Sequence, residues 1–176
     1  MIRGAVNISL THGMTGGVAR SPWERPMTFA STADILRFAI EREEEAALSY
    51  GDLARDAADP VVKVLLLDLQ TEEKNHRRLL ENIAEGKAAG FTDREVPDLK
   101  ISDPLVEEPI GPESGFQDLL IHAARKEAQA VELYTGLRDA ASDPEFRRLL
   151  AFLIQQEKTH KLRLEQEYER QILQED

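Results

Sequence analysis

The chain has 176 residues, 41% hydrophobic and 31% charged, which suffices for one domain with its own core. It contains no cysteine, which excludes disulfides, thiolate zinc or iron sites and cysteine nucleophiles. A formal net charge of -11 argues against sequence-independent nucleic-acid binding, which needs a surplus of lysine and arginine, and fits cationic partners or metal ions.

Residues 1–30 carry "TGG", "SPWERP" and no sustained period, which predicts an irregular N-terminal arm that packs through Trp23 and Phe29. The arm has no signal-peptide apolar core, and no uninterrupted apolar run reaches the ~18 residues of a membrane span. A cytoplasmic protein with no membrane partner is the expectation. From residue 31 the pattern turns helical. Ser31 or Thr32 can cap a first helix, Asp34 suits its first turn, and a 3.6-residue apolar period runs to about Ala58. Asp59-Pro60 ends that helix and starts a second, because proline fits a first helical turn but not an interior. The run "VVKVLLLDL" begins like a strand, yet its period continues through Leu79, Leu80 and Ile83, which predicts helix to about Gly86. Residues 87–113, rich in Pro, Asp and Glu, break the period and predict a crossover along the side of a bundle. Two further helices follow, about Ser114 to Ser142 and Pro144 to Leu173, divided by Asp143-Pro144. The predicted fold class is all-α: a four-helix bundle over residues 31–176, made of hairpins at about 33–86 and 114–173.

The two hairpins are an internal repeat. A shift of 84 residues pairs Glu43 with Glu127, Ala46 with Ala130, Tyr50 with Tyr134, Asp59-Pro60 with Asp143-Pro144, Leu69 with Leu153, Glu73 with Glu157, and His76 with His160. One Glu-x-x-His in an acidic helical protein means little, but two at the same register, beside Tyr and Asp-Pro landmarks without charge bias, mean more. Following a 3-4 spacing, the second helix presents Val62, Leu66, Leu69, Glu73, His76, Leu80 and Ile83, and the fourth Phe146, Leu150, Leu153, Glu157, His160, Leu164 and Glu167. The first gives Leu36, Ala39, Glu43, Ala46, Tyr50, Leu53 and Ala57, and the third Leu120, Ala123, Glu127, Ala130, Tyr134, Leu137 and Ala141. The polar residues therefore interrupt the core stripe.

Four inward carboxylates cannot all stay ionised and unpaired, since an isolated buried charge costs several kcal/mol or more. Either something positive sits among them or they are protonated. No lysine or arginine lies on the four stripes, so buried salt bridges lack their cations, whereas two divalent ions bring the matching charge. One Glu from each of two helices with a Glu-x-x-His from each of the other two is the ligand set of ferritin-like di-iron and di-manganese proteins. Tyr50 and Tyr134 lie seven residues after Glu43 and Glu127 on the same face, placed either to hydrogen-bond ligand carboxylates or to serve as ordinary core tyrosines. Alanines at 39, 46, 123 and 130 leave room for the ions and a small oxidant.

The segments "EREEEAALSYGDLA" and "EAQAVELYTGL", followed by "EKNH" and "EKTH", resemble the rubrerythrin branch of the ferritin-like superfamily over about residues 33–170, in a short form without a rubredoxin domain. The resemblance implies two iron ions held by Glu43, Glu73, His76, Glu127, Glu157 and His160, with manganese or zinc as other occupants. It also implies hydrogen peroxide or oxygen as substrate and a homodimer as the assembly. Two departures stand out. No cysteine-ligated electron carrier accompanies the bundle, so turnover calls for an external donor such as a separate rubredoxin. The further glutamate that such proteins carry three residues after the third-helix ligand is Ala130 here, which bears on a redox-coupled iron shift and on peroxidase efficiency.

Other polar groups carry less. Glu41, Glu44, Glu45 and Glu72 fall off the stripes and predict a solvated acidic face. His122 points about 140° away from Glu127 around its helix, and His12 sits in the arm. The sequence thus supports a di-iron oxidoreductase first. The alternatives are a ferroxidase, iron carrier or store, or a structural metal-binding bundle without turnover.

Overall fold

The computed structural model describes residues 6–8, 27–29, 31–86 and 114–175. Two short strands, β1 (Val6–Ile8) and β2 (Met27–Phe29), precede four helices: α1 (Thr32–Asp56), α2 (Pro60–Ala84), α3 (Phe116–Ala140) and α4 (Pro144–Glu175).

The helix ends follow from local chemistry. Ser31 Oγ accepts from the Asp34 amide at 3.2 Å and donates back to the Asp34 carboxylate at 2.8 Å, which closes the start of α1. At the repeat landmarks, Asp59 Oδ1 accepts from the Val61 and Val62 amides at 2.7 and 3.0 Å, and Asp143 Oδ1 accepts from the Phe146 amide at 2.9 Å. Pro60 and Pro144 each open the helix that follows. Past the last turn of α2, Gly86 takes φ 76°, a conformation that a side chain disfavours, and its amide bonds the Ile83 carbonyl.

α1 packs along α2 and α3 along α4, while backbone approach between the two hairpins is sparse. The Gln70 amide donates to the Ala47 carbonyl at 2.9 Å and ties α1 to α2. It fits because Gly51 has no side chain, as a Cβ there would meet Gln70 Nε2 at 2.2 Å. The apolar core divides into two clusters. One gathers Leu36, Leu80, Leu137, Phe146, Leu150 and Leu153 at the start of α1 and the end of α2. The other gathers Leu53, Val62, Leu66, Leu69, Leu120 and Leu164 at the opposite end. The last residues of α2 and the first of α3 therefore lie at opposite ends of the bundle; the predicted crossover 87–113 falls outside the described residues.

Where composition predicts an irregular arm, its described part forms an antiparallel ladder, Val6 opposite Phe29 and Ile8 opposite Met27. β1 lies against α3 and β2 against α1. Three-residue strands are too short to show a period of two, so no pattern could announce them. Phe29 is buried, with its ring tilted against Phe38 at 5.4 Å between centroids; Trp23 is outside the described residues. No described helix is long and apolar enough to cross a membrane.

The caps yield a direct test of the repeat. Asp59→Ala and Asp143→Ala should each lower unfolding free energy by about 1 kcal/mol, the worth of an aspartate cap. Urea titration followed by helical circular dichroism measures it, and a change at one site only would show that the two hairpin turns are not equivalent.

Candidate metal centre

Between the two apolar clusters lies a polar layer. Glu43 from α1, Glu73 and His76 from α2, Glu127 from α3, and Glu157 and His160 from α4 are each 6% exposed or less. Each sits where its helix would otherwise place a core leucine, flanked on its own stripe by buried apolar residues such as Leu69 and Leu80 or Leu153 and Leu164.

Their donor atoms form two overlapping groups of four, with Glu73, His76 and His160 grouped across them. Glu43, Glu73, His76 and Glu157 offer atoms all within 4.8 Å of one another, and so do Glu73, Glu127, Glu157 and His160. Glu73 and Glu157 belong to both, so the two Glu-x-x-His carboxylates sit in the middle and Glu43 and Glu127 lie at the flanks. His76 Nδ1 stands 3.1 Å from Glu73 Oε2 and 3.6 Å from both Glu43 Oε2 and Glu157 Oε1. His160 Nδ1 stands 2.8 Å from Glu73 Oε1, 3.5 Å from Glu157 Oε2 and 3.6 Å from Glu127 Oε2. The two imidazoles lie nearly parallel, 14° between planes and 5.3 Å between centroids.

These atoms converge but satisfy one another only in part: His76 Nδ1 is hydrogen-bonded to Glu73 Oε2 at 3.1 Å. His160 Nδ1 and Glu73 Oε1 are close, yet neither is aligned for a hydrogen bond, and with Glu157 Oε1 they have no hydrogen-bond partner among the described residues. Buried polar atoms are nearly always bonded. Unbonded donor atoms crowded at one point suit a cation there, and carboxylate oxygen with imidazole nitrogen is a donor set for iron, manganese or zinc. The residues present fit a pair of divalent ions.

The surroundings hold these groups in place. The Tyr50 hydroxyl donates to Glu127 Oε1, and the Tyr134 hydroxyl donates to Glu43 Oε1. Each tyrosine thus reaches across to the other hairpin. Burial and the nearby Glu43 carboxylate hold the Tyr134 phenol well above its ordinary value, so it stays a donor. Glu72, which its position off the stripe places on a solvated face, is in fact half-buried. His160 Nε2 lies 2.9 Å from Glu72 Oε2, and Arg163 Nη1 donates to Glu72 Oε1 at 2.6 Å. The hydrogen bond from His160, opposed by partial burial and aided by Arg163, lowers the Glu72 carboxyl to about 2. An ionised carboxylate only accepts, so His160 Nε2 carries a proton, which leaves Nδ1 as the atom that would face a bound ion. Glu44 and Glu45 do sit exposed, paired with Arg77 and Arg42. His122 is half-buried on α3, outside the cluster. The stripes also gave no sign of Lys161 and Glu165, a buried pair 3.5 Å apart one step off the seam.

A cavity of about 110 Å³, lined by Glu43, Glu73, Glu127 and Glu157 at its floor, opens between α1 and α3 past Ala46, Ala130, Arg42 and Lys126. Ala46 and Ala130 are half-buried for that reason. Space of this size holds a few water-sized molecules.

Without a metal, protons do the neutralising. Burial and the Glu157 carboxylate push Glu43 well above the usual carboxylate range, and burial with Glu73 and Glu127 does the same to Glu157. Burial alone would lower His76, but Glu43 and Glu73 outweigh it and raise the ring to about 10; the carboxylates around His160 raise it in the same sense against burial. Burial would raise Glu73, yet the two imidazoles hold it low. Groups raised in the fold stabilise it below their unfolded values and lose that effect as pH climbs through the folded ones. For His76 the window runs from 6.5 to about 10, and the raised Glu43 and Glu157 act in the same direction from 4.5 upward. Glu73 acts oppositely, but only below 4.5. Chelator-treated protein should therefore lose several degrees of melting temperature between pH 6.5 and 10, read by thermal circular dichroism. Rising stability over that range would show that the layer is not proton-balanced.

A family model described as Rubrerythrin matches residues 34–168. Among solved structures, an uncharacterized conserved protein from Magnetospirillum magnetotacticum superposes with TM-score 0.62 at 20% identity, covering 80% of this chain and 95% of that one. A hypothetical protein from Pyrococcus furiosus gives 0.56 at 26%, covering 79% and 89%. A protein from Thermotoga maritima described as a ferritin-like diiron-carboxylate protein gives 0.57 at 23%, covering 78% and 93%. No curated protein matches.

Proposed function

The chain belongs to the rubrerythrin family, and from that premise we propose that it is a non-haem di-iron carboxylate oxidoreductase that reduces hydrogen peroxide or oxygen. The ligands in this reading are Glu43, Glu73, His76, Glu127, Glu157 and His160. The observation that carries it is the pair of overlapping donor groups that share Glu73 and Glu157. Glu73 and Glu157, common to both groups, would serve both ions, while Glu43 with His76 and Glu127 with His160 would each serve one. Bound there, two ferrous ions supply the two electrons that, with two protons, convert hydrogen peroxide to water.

The protein's own part is placement. Tyr50 and Tyr134 fix the flanking carboxylates by hydrogen bonds from the opposite hairpin. Leucine layers on both sides keep bulk water from the polar layer and strengthen every electrostatic contact inside it. The cavity past Ala46 and Ala130 gives a small oxidant its path. An electron donor such as a rubredoxin would restore the ferrous state.

Ala130 favours a second reading. It lines the cavity at the position where the resemblance leads one to look for another carboxylate, and a methyl group can follow no ion through a redox change. Oxidation of Fe²⁺ by oxygen, with the chain as ferroxidase or iron carrier, needs no such movement. Manganese or zinc would satisfy the same donors, and geometry and supply decide among them.

Peroxide consumption by reduced, iron-loaded protein separates these readings. It should outrun the same concentration of free Fe²⁺, and Glu73→Ala, which removes a carboxylate common to both halves, should cost at least 10–100-fold, the loss that even an outer partner causes. Turnover no faster than free iron, with rapid Fe²⁺ oxidation by oxygen, would replace the peroxidase by the ferroxidase.

A further inference from the structure

The repeat supplies an internal control for every residue near the centre. A shift of 84 matches all six metal-directed residues with their own kind, but it matches Glu72 with Gln156, Arg163 with Leu79, and Asp68 with Phe152. Leu79 and Phe152 pack against an apolar cluster. The charged chain from Arg163 through Glu72 to His160 Nε2 is therefore built on one half only. At the place from which a carboxylate would serve His76, the sequence puts a neutral amide.

We infer that Glu72, clamped by Arg163, is a positioning residue for His160 alone and makes the two halves of the centre unequal, so that the half of His160 and Glu127 holds its ion more tightly than the half of His76 and Glu43. This rests on the metal-centre reading above. A carboxylate that accepts from the outer imidazole nitrogen locks the tautomer, aims the inner lone pair and makes it more basic. Hydrogen bonds to a charged acceptor are about twice as strong as those to a neutral one. A surface ion pair would account for Glu72 with Arg163, but not for the buried His160 ring, 0% exposed, seated with its Nε2 on that carboxylate. Arg163 also approaches Asp68 at 3.8 Å, which holds the guanidinium over this side of the bundle.

The test is a calorimetric Co²⁺ titration of the metal-free chain, joined to proton NMR of the hyperfine-shifted ring N–H signals in the Co²⁺-loaded form. Glu72→Gln, the same shape without the charge, should weaken one of two bound ions by about 10–100-fold and leave the other unchanged. Only one ring N–H signal should shift and exchange faster with water. Arg163→Leu, which copies the other half, should weaken the same ion by less. Two ions bound equally well by the unaltered chain and by Glu72→Gln, or both weakened alike, would overturn the inference and leave the metal centre standing. No Co²⁺ bound by the unaltered chain would overturn both.

Discussion

Everything in this bundle is arranged around four glutamates that cannot be buried as they stand. Glu43, Glu73, Glu127 and Glu157 lie in one layer between two leucine-rich clusters, at positions that leucine would fill at no electrostatic cost. Their repulsion in a low-dielectric interior is worth many times a cap or a surface ion pair. The fold persists only if positive charge enters the layer. Two imidazoles lie within the cluster, and with raised affinities for protons they supply part of it. Divalent ions would supply the rest and displace those protons. The same six residues are thus a defect in a core and, where metals bind, their ligands, a role that would explain why the defect is tolerated.

The repeat gives this layer its symmetry. Each hairpin offers one lone glutamate, one tyrosine and one Glu-x-x-His, and the tyrosine of each hairpin bonds the lone glutamate of the other. The exchange is reciprocal because α1 and α3 run antiparallel across the cavity, so that seven residues, two turns, carry each hydroxyl back past the opposite carboxylate. A single helix pair could bury neither tyrosine nor glutamate in this way. The symmetry stops at the outer edge of the layer, where the Glu72 and Arg163 pair has no counterpart.

Much of this was legible in the chain because the relevant signal is periodic. A glutamate at a stripe position between leucines announces its own burial, and all four stripes read from spacing lie buried along most of their length, with Ala46 and Ala130 half-buried where the cavity passes and Ile83 and Glu167 half-buried toward the ends of their helices. Glu72 was misread for the same reason. One residue from Glu73, it is rotated by about 100° onto a flank that spacing assigns to solvent, where His160 and Arg163 of α4 bond it. The mismatch of Glu72 with Gln156 and of Arg163 with Leu79 was visible in the repeat and was the available signal. The Lys161 and Glu165 pair likewise lies one step off the seam, where burial depends on neighbours that no single-helix pattern contains. The β1–β2 ladder depends on pairing across a gap of 18 residues, and three-residue strands carry no period of their own.

How the halves meet has a consequence for stability. Within each hairpin the helices touch along their lengths, but between hairpins the backbones approach in few places. The donor groups are distributed the other way. Glu43, Glu73 and His76 of the first hairpin are grouped with Glu157 of the second, and Glu127, Glu157 and His160 of the second are grouped with Glu73 of the first. An ion in either group is bound by both hairpins at once. Its binding energy therefore adds to their docking, as it does wherever ligands are brought together only by the fold. Loosely packed backbones at this seam leave room for the cavity, and cations held across it would restore the cohesion that the gap gives up. An open cavity and a firm junction between hairpins, which compete in an apolar bundle, would become compatible where the junction is made of metal ligands.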